Sequence, residues 1–222
     1  MLDQDGVARS AIEQTLMAAI GAGQLEAGGV VTVPWLASRY GSTAGGVRTA
    51  LRALGRDGLV EPLTDDSVRV SEPGWAELRE IRDLRISVEV HAVRSVTEAG
   101  VSDTQLRVLR RLADVTAKRA WADDVVGYIN ADLELHLQLL ALAEQTELIE
   151  LVRVLRVRGR IQGVRHAPAA FMAINAEEHR ELVRMVGDGE SNAAADLLRR
   201  HIGRLDRTVS ASTAHQGQPE QP

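Results

Sequence analysis

The sequence predicts a mainly α-helical chain with a short β element near its start, and three observations predict it. Apolar residues recur at three- and four-residue spacing through most of the 222 residues. Aromatic residues supply only 3%, so a core must be built from Leu, Val, Ile and Ala, which suits helices. Strand candidates bounded by turn residues stand at Val30 to Val33, Leu59 to Leu63 and Val68 to Val70.

In chain order, Ile12, Leu16, Ala19 and Ile20 mark a first amphipathic helix. The turn-rich GAGQLEAGG follows, then a β-branched run from Val30 to Val33. Leu36, Ala37 and Tyr40 share one side of a second helix, and Gly41 supplies a turn. Val47, Ala50, Leu51 and Leu54 carry a third helix, which Gly58 ends before Leu59 and Val60. Leu59 to Leu63 and Val68 to Val70 are short strands around the polar turn Thr64-Asp65-Asp66-Ser67. On the third helix Arg48, Arg52 and Arg56 recur every four residues, opposite the apolar stripe. Alone, such a stripe would serve an ordinary solvated surface. Between a helix, a sharp turn and a hairpin it fits a helix that packs on one side and enters a DNA major groove on the other.

Helix, strand, helix, turn, helix and hairpin is the layout of a winged helix-turn-helix. The stretch from Trp35 to Val60 resembles the GntR superfamily of bacterial transcription regulators, whose pattern runs close to LA-x-x-x-G-V-S-R-x-x-V-R-x-A-L-x-x-L-x-x-x-G-L-V. Leu36, Ala37, Gly41, Val47, Arg48, Ala50, Leu51, Leu54, Gly58, Leu59 and Val60 stand in register with it. The resemblance implies a double-stranded DNA operator as partner, with Thr43, Gly45, Arg48 and Arg52 as the DNA-binding residues. The chain also departs from the pattern. Ser42-Thr43-Ala44 stands where the family has Val-Ser/Thr-Arg, and Gly45-Gly46 where relatives tend to have Thr-Pro. Each glycine weakens the helix start by roughly 1 kcal/mol relative to alanine. Asp65-Asp66-Ser67 puts negative charge in the wing, and residues 1–72 carry 6 arginines against 9 acids. The reading head itself, Leu36 to Val60, holds Arg39, Arg48, Arg52 and Arg56 against only Asp57, and local charge governs counter-ion release. Modest affinity, or an operator unlike the family's usual one, is the expectation.

The length suggests two domains, and 45% apolar with 26% charged residues is enough for packed cores. With no cysteine, disulfides and thiolate metal sites are excluded. No apolar run approaches the ~20 residues of a membrane span, and the acidic MLDQDG is unlike a signal peptide. A cytoplasmic protein with no membrane partner is expected. The expected division is 1–72 for DNA binding, 73–213 for a helical domain after the break Ser71-Glu72-Pro73-Gly74, and 214–222 for a disordered tail.

The second part reads as six helical segments, about 75–98, 102–121, 124–144, 147–166, 168–187 and 191–212, an antiparallel six-helix bundle. Four polar residues interrupt its apolar stripes. Asp132 and His136 lie one turn apart beside Ile129, Leu133, Leu139 and Leu140. His179 lies among Met172, Leu182, Val183 and Val186, and His201 among Ala194, Leu197, Leu198 and Leu205. A single inward histidine is an ordinary core residue. A carboxylate is costly to bury unless it is paired or bound to a metal, and together with three imidazoles it suits a divalent ion such as Zn, Ni or Mn.

Asp132-x3-His136, Glu178-His179-x2-Leu182 and His201-Ile202 resemble the ligand set of the FCD effector-binding domain, found in the FadR-type branch of the same regulators. Leu84-Arg85-x3-Glu89 is similar to that family's L-R-x-x-x-E, and six helices point to the shorter, VanR-like form. The resemblance implies a metal centre on Asp132, His136, His179 and His201, next to which a small carboxylate effector binds and shifts the helices that orient the DNA-binding domains. Arg85 and Asn175 are candidates for the effector carboxylate, although Arg85 serves equally as an ion pair with Glu89. The family implies a homodimer. Two other readings stay open: a metal-dependent enzyme using the same cluster, and a metabolite- or metal-binding protein with degenerate DNA recognition. His91, His166 and His215 read as ordinary.

Overall fold

The structure is a computed structural model that describes residues 10–144, 146–161 and 169–214. Helix α1 (Ala11–Gly21) starts where the Ser10 hydroxyl accepts from the Glu13 N–H, and it buries Leu16, Met17, Ala19 and Ile20. Strand β1 (Val30–Thr32) leads directly into α2 (Val33–Arg39), capped by Thr32 with Pro34 in its first turn. Val33 thus belongs to the helix rather than to the β-branched run before it, because Thr32 is a good N-cap and proline is pre-organised there. Gly41 takes φ 62° at the turn, a value that glycine adopts without strain. Helix α3 (Ala44–Arg56) buries Val47, Ala50, Leu51 and Leu54 and ends at Gly58, with φ 70°.

Strands β2 (Val60–Thr64) and β3 (Ser67–Val70) form the wing, and the three strands pair antiparallel in the order β1-β3-β2. Val60 pairs with Val70 and Val31 with Val68, and the register shifts between Pro62 and Thr64. A proline lacks the N–H that a continuous ladder needs, so it is tolerated at this bulged edge. One apolar core joins α1, α2, α3 and the sheet, from Leu16 and Ile20 through Leu36 and Leu54 to Val60 and Val70.

Six helices follow the extended stretch 71–74: α4 (Trp75–Ala99), α5 (Asp103–Trp121), α6 (Val125–Leu142), α7 (Thr146–Arg158), α8 (Ala169–Gly187) and α9 (Ser191–Ala214). Their start signals are local. Ser102 and Gln105 make a reciprocal capping box on α5, and Asp124 caps α6 by accepting from the Gly127 N–H at 2.9 Å. The bundle core packs Val93, Leu109, Leu135, Leu139, Leu182 and Leu198 from five of these helices.

One boundary is corrected: α7 stops at Arg158 rather than continuing toward residue 166. Gly159 is a weak helix former, and the Arg160 and Ile161 N–H groups fall back to the carbonyls of Val157 and Arg158, three residues earlier. Arg160 itself turns inward onto Asp132 and the Ile129 carbonyl. His166 and His215 lie outside the described residues, as do residues 215–222 of the expected tail, whereas Ala214 closes α9. His91 is exposed. No helix among the described residues is long and apolar enough to cross a membrane.

Helix α7 has two working sides. Val157 and, just past its end, Ile161 belong to the winged-helix core, and a Cβ on Gly21 of α1 would sit 3.9 Å from Val157. Arg156 and Arg160 point the other way, into the bundle, and both are buried.

Candidate functional site

The reading head is built on the start of α3. The Thr43 hydroxyl accepts from the Gly46 N–H at 3.0 Å, closing the first turn in spite of two glycines. A Cβ on Gly46 would press on the Thr43 and Ser42 hydroxyls at 3.2 and 3.3 Å, whereas one on Gly45 would meet nothing within 4 Å. Thr43, Gly45 and Arg52 are exposed and Arg48 half-buried; Thr43 caps α3 and the other three lie within it. Arg48, Arg52 and Arg56 line a groove of about 810 Å³ between α3 and the wing. Its opposite wall contains Asp65 and Asp66, and Asp66 pairs with Arg48.

The second constellation lies in the centre of the bundle. Helix α6 supplies Asp132 and His136, α8 supplies His179 and α9 supplies His201, and all four are at most 4% exposed. One ligand atom from each lies within 4.8 Å of the others. The Nε2 atoms of His136 and His201 stand 3.2 and 3.3 Å from that of His179, and Asp132 Oδ1 is 3.3 Å from the same atom. Two atoms bound at about 2.0–2.1 Å to one tetrahedral ion would stand about 3.3 Å apart, so these separations fit a common cation.

A second ring of carboxylates sets the imidazoles. Glu89 Oε2 lies 3.3 Å from His136 Nδ1, and Glu178 Oε2 accepts from His201 Nδ1 at 3.0 Å. A carboxylate only accepts, so each favours the proton on Nδ1 and leaves the Nε2 lone pair pointing inward. Burial, with help from Arg156, holds the His136 imidazole well below its ordinary pKa, and burial brings His201 down to about 4 against the pull of Glu178. Both rings are therefore neutral near pH 7. Around His179 Nε2 stand two imidazole lone pairs and Asp132 Oδ1, which has no hydrogen-bond partner among the described residues. One ring proton cannot satisfy three acceptors.

Burial alone would raise the Asp132 carboxyl, but the Arg160 guanidinium, the neighbouring His179 imidazole and the Arg156 guanidinium more than offset it and hold it well below the usual carboxylate range. Arg156 Nη1 donates to Asp132 Oδ2 at 2.9 Å, and Arg160 donates to the same oxygen. Glu89 is likewise lowered by Arg156 and Arg85 in spite of its burial. Arg85 Nε donates to Glu89 Oε1 at 2.8 Å, so its ion-pair role is realised, while its Nη2 has no partner among the described residues. Asn175, on α8 one turn before His179, is hydrogen-bonded to Tyr128, and its Oδ1 accepts nothing among them.

Sequence reasoning did not reach Arg156, Arg160 or Glu178 as parts of this cluster. Arg156 and Arg160 recur at i, i+4 on an apolar stripe, the same signal that exposed Asp132 and His136, and could have been found that way.

Residues 8–70 match the gntR family of bacterial regulatory proteins, and residues 80–204 match the FCD domain. The structure resembles McbR/YncC of E. coli, with a TM-score of 0.80 at 20% identity over 91% of this chain and 96% of that one. It also resembles a putative GntR transcriptional regulator from Rhodococcus sp. RHA1, with a TM-score of 0.72 at 22% identity over 90% and 96% of the two chains. At such identities these likenesses show the fold. No curated protein matches the sequence. With both family matches in chain order over a winged helix-turn-helix and a six-helix bundle, the chain belongs to the GntR family of bacterial transcription regulators, in its FCD-domain branch, and is not an enzyme.

Proposed function

We propose that this regulator binds an operator through Thr43, Gly45, Arg48 and Arg52, and that its grip is controlled at a metal centre on Asp132, His136, His179 and His201. The observation that carries the metal is the convergence of three acceptors on His179 Nε2 in a buried pocket. The donor set of three imidazoles and one carboxylate suits Zn, Ni or Mn. Such an ion, when bound, supplies a Lewis-acidic position for an oxygen ligand.

The charge balance supports a small carboxylate as effector. Among the described residues, the buried Arg85, Arg156 and Arg160 pair with Glu89 and Asp132, so this set carries one excess positive charge before any cation is counted. Buried charge requires compensation. The unpartnered Arg85 Nη2 and Asn175 Oδ1 are the groups we assign to the effector.

Helix α7 supplies the route outward. Its arginines hold the metal-site carboxylate, and Val157 with Ile161 sit in the winged-helix core. Any change in how Asp132 is shared among cation, effector and arginines shifts α7, and with it the seat of the reading head. We assign 1–72 to DNA binding, 73–213 to control and 214–222 to a tail, and we propose that two copies pair to place two reading heads on adjacent half-sites.

The test is a gel shift on DNA flanking the protein's own gene, with protein stripped by chelator, protein reloaded with Zn, and reloaded protein plus a panel of small carboxylates. A sequence-selective shift that changes with metal and with at least one carboxylate supports the reading. A shift indifferent to both would leave a DNA binder without this control.

A further inference from the structure

We propose that Asp66 is a positioning residue for DNA reading: it grips the side edge of the Arg48 guanidinium and leaves the end fork to select a base pair. Arg48 Nε and Nη2 both donate to Asp66 Oδ1, at 3.0 and 2.6 Å. Those two groups form one edge of the planar guanidinium. Nη1 has no partner among the described residues, so the end edge keeps its paired donors. That edge matches the O6 and N7 acceptors of a guanine in the major groove.

Asp66 does not sit on a loose loop. Its carbonyl accepts from the Val33 N–H at 2.8 Å, tying the wing to the start of α2. Its own N–H donates to the Thr64 hydroxyl at 3.3 Å, and that hydroxyl is 2.7 Å from the Ser67 hydroxyl. The carboxylate therefore projects from a locked turn and fixes a side chain on another element, α3. An exposed ion pair contributes little to fold stability, and both partners here are substantially exposed, at 40% and 56%. Its effect belongs to reading rather than to folding.

Charge acts in the same direction. Indiscriminate binding scales with the cations that displace counter-ions from phosphates. A carboxylate at 2.6 Å compensates Arg48 and removes it from that pool, while the hydrogen-bonding fork survives. The acidic wing then trades general affinity for selectivity at one position. This rests on the chain being a DNA reader, and the experiment separates the two.

The full chain is used to select duplexes from a random-sequence library. The enriched duplex, its single-base-pair variants and an unselected duplex are then titrated at several salt concentrations with wild type, Asp66→Asn and Arg48→Lys. Wild type is expected to lose about 5- to 150-fold in affinity at one G·C pair, the range for a bidentate contact. Asp66→Asn should melt like wild type, bind the unselected duplex more tightly with a salt slope steeper by about one counter-ion, and discriminate less at that pair alone. Arg48→Lys, which lacks the planar fork, should lose discrimination at that pair. An Asp66→Asn protein with wild-type selectivity and wild-type unselected binding overturns the proposal, as does one that binds every duplex more weakly. If wild type enriches no sequence, the DNA reading falls and takes this proposal with it.

Discussion

The Nε2 atoms of His136 and His179 face one another at 3.2 Å in the centre of the bundle, on helices that meet there from 43 residues apart in the chain. Facing nitrogens at that distance share either a proton or a cation. If a cation holds them, chelation destabilises the protein. A ligand present at a hundred times its dissociation constant adds about 2.7 kcal/mol, which corresponds to about 5–10 °C in the melting of a chain this size. Thermal melts before and after chelation should differ by that order, and zinc should restore the higher value. His179→Gln should melt at the lower temperature and ignore the chelator.

Arg156 ties Glu89 of α4 to Asp132 of α6 and is fully buried. Arg156→Met keeps much of its volume but leaves Glu89 to Arg85 and Asp132 to Arg160. Breaking a buried pair from one side costs about 3–5 kcal/mol. Urea unfolding should show a loss of that order. A loss below about 1 kcal/mol would mean the remaining arginines suffice.

Ile161 is the test of the route through α7. It is 4% exposed and packs into the winged-helix core from beyond the helix end. Ile161→Ala should cost about 2–5 kcal/mol if the site does not collapse. The more telling readout is regulatory: metal content should stay at the wild-type level while the effect of metal on operator affinity shrinks.

Gly45 and Gly46 make a paired prediction. Gly45→Ala adds a Cβ in open space within a helix and should stabilise by about 1 kcal/mol. Gly46→Ala carries the same propensity gain, but its Cβ presses on the Thr43 hydroxyl that caps the helix, so its gain should be smaller or reversed. Differential melting of the two variants checks this.

The fold was legible because its elements carry local signals. The apolar spacing from Val47 to Leu54 and the glycines 41 and 58 marked α2, the turn after it, α3 and the step into the wing. Asp132, His136, His179 and His201 stood out as polar residues on apolar stripes, and the structure places all four at one point. The charge network around them was less visible. Arg156 and Arg160 share the i, i+4 apolar-stripe signal, but it is diluted by the many other arginines of the chain, and their burial shows it plainly. The early end of α7 was obscured by Ile161, an apolar residue that keeps helical spacing past Gly159. The pairing of Asp66 with Arg48 depends on how the wing folds back over α3, which no local pattern encodes.

The measurement that bears most directly on the central claim is the metal content of the purified protein, by mass spectrometry of the elements, for wild type and for Asp132→Ala and His136→Ala. About one divalent first-row ion per wild-type chain is expected to survive gel filtration, with little in either variant. Wild-type protein that takes up no ion after dialysis against zinc, nickel or manganese would contradict that claim.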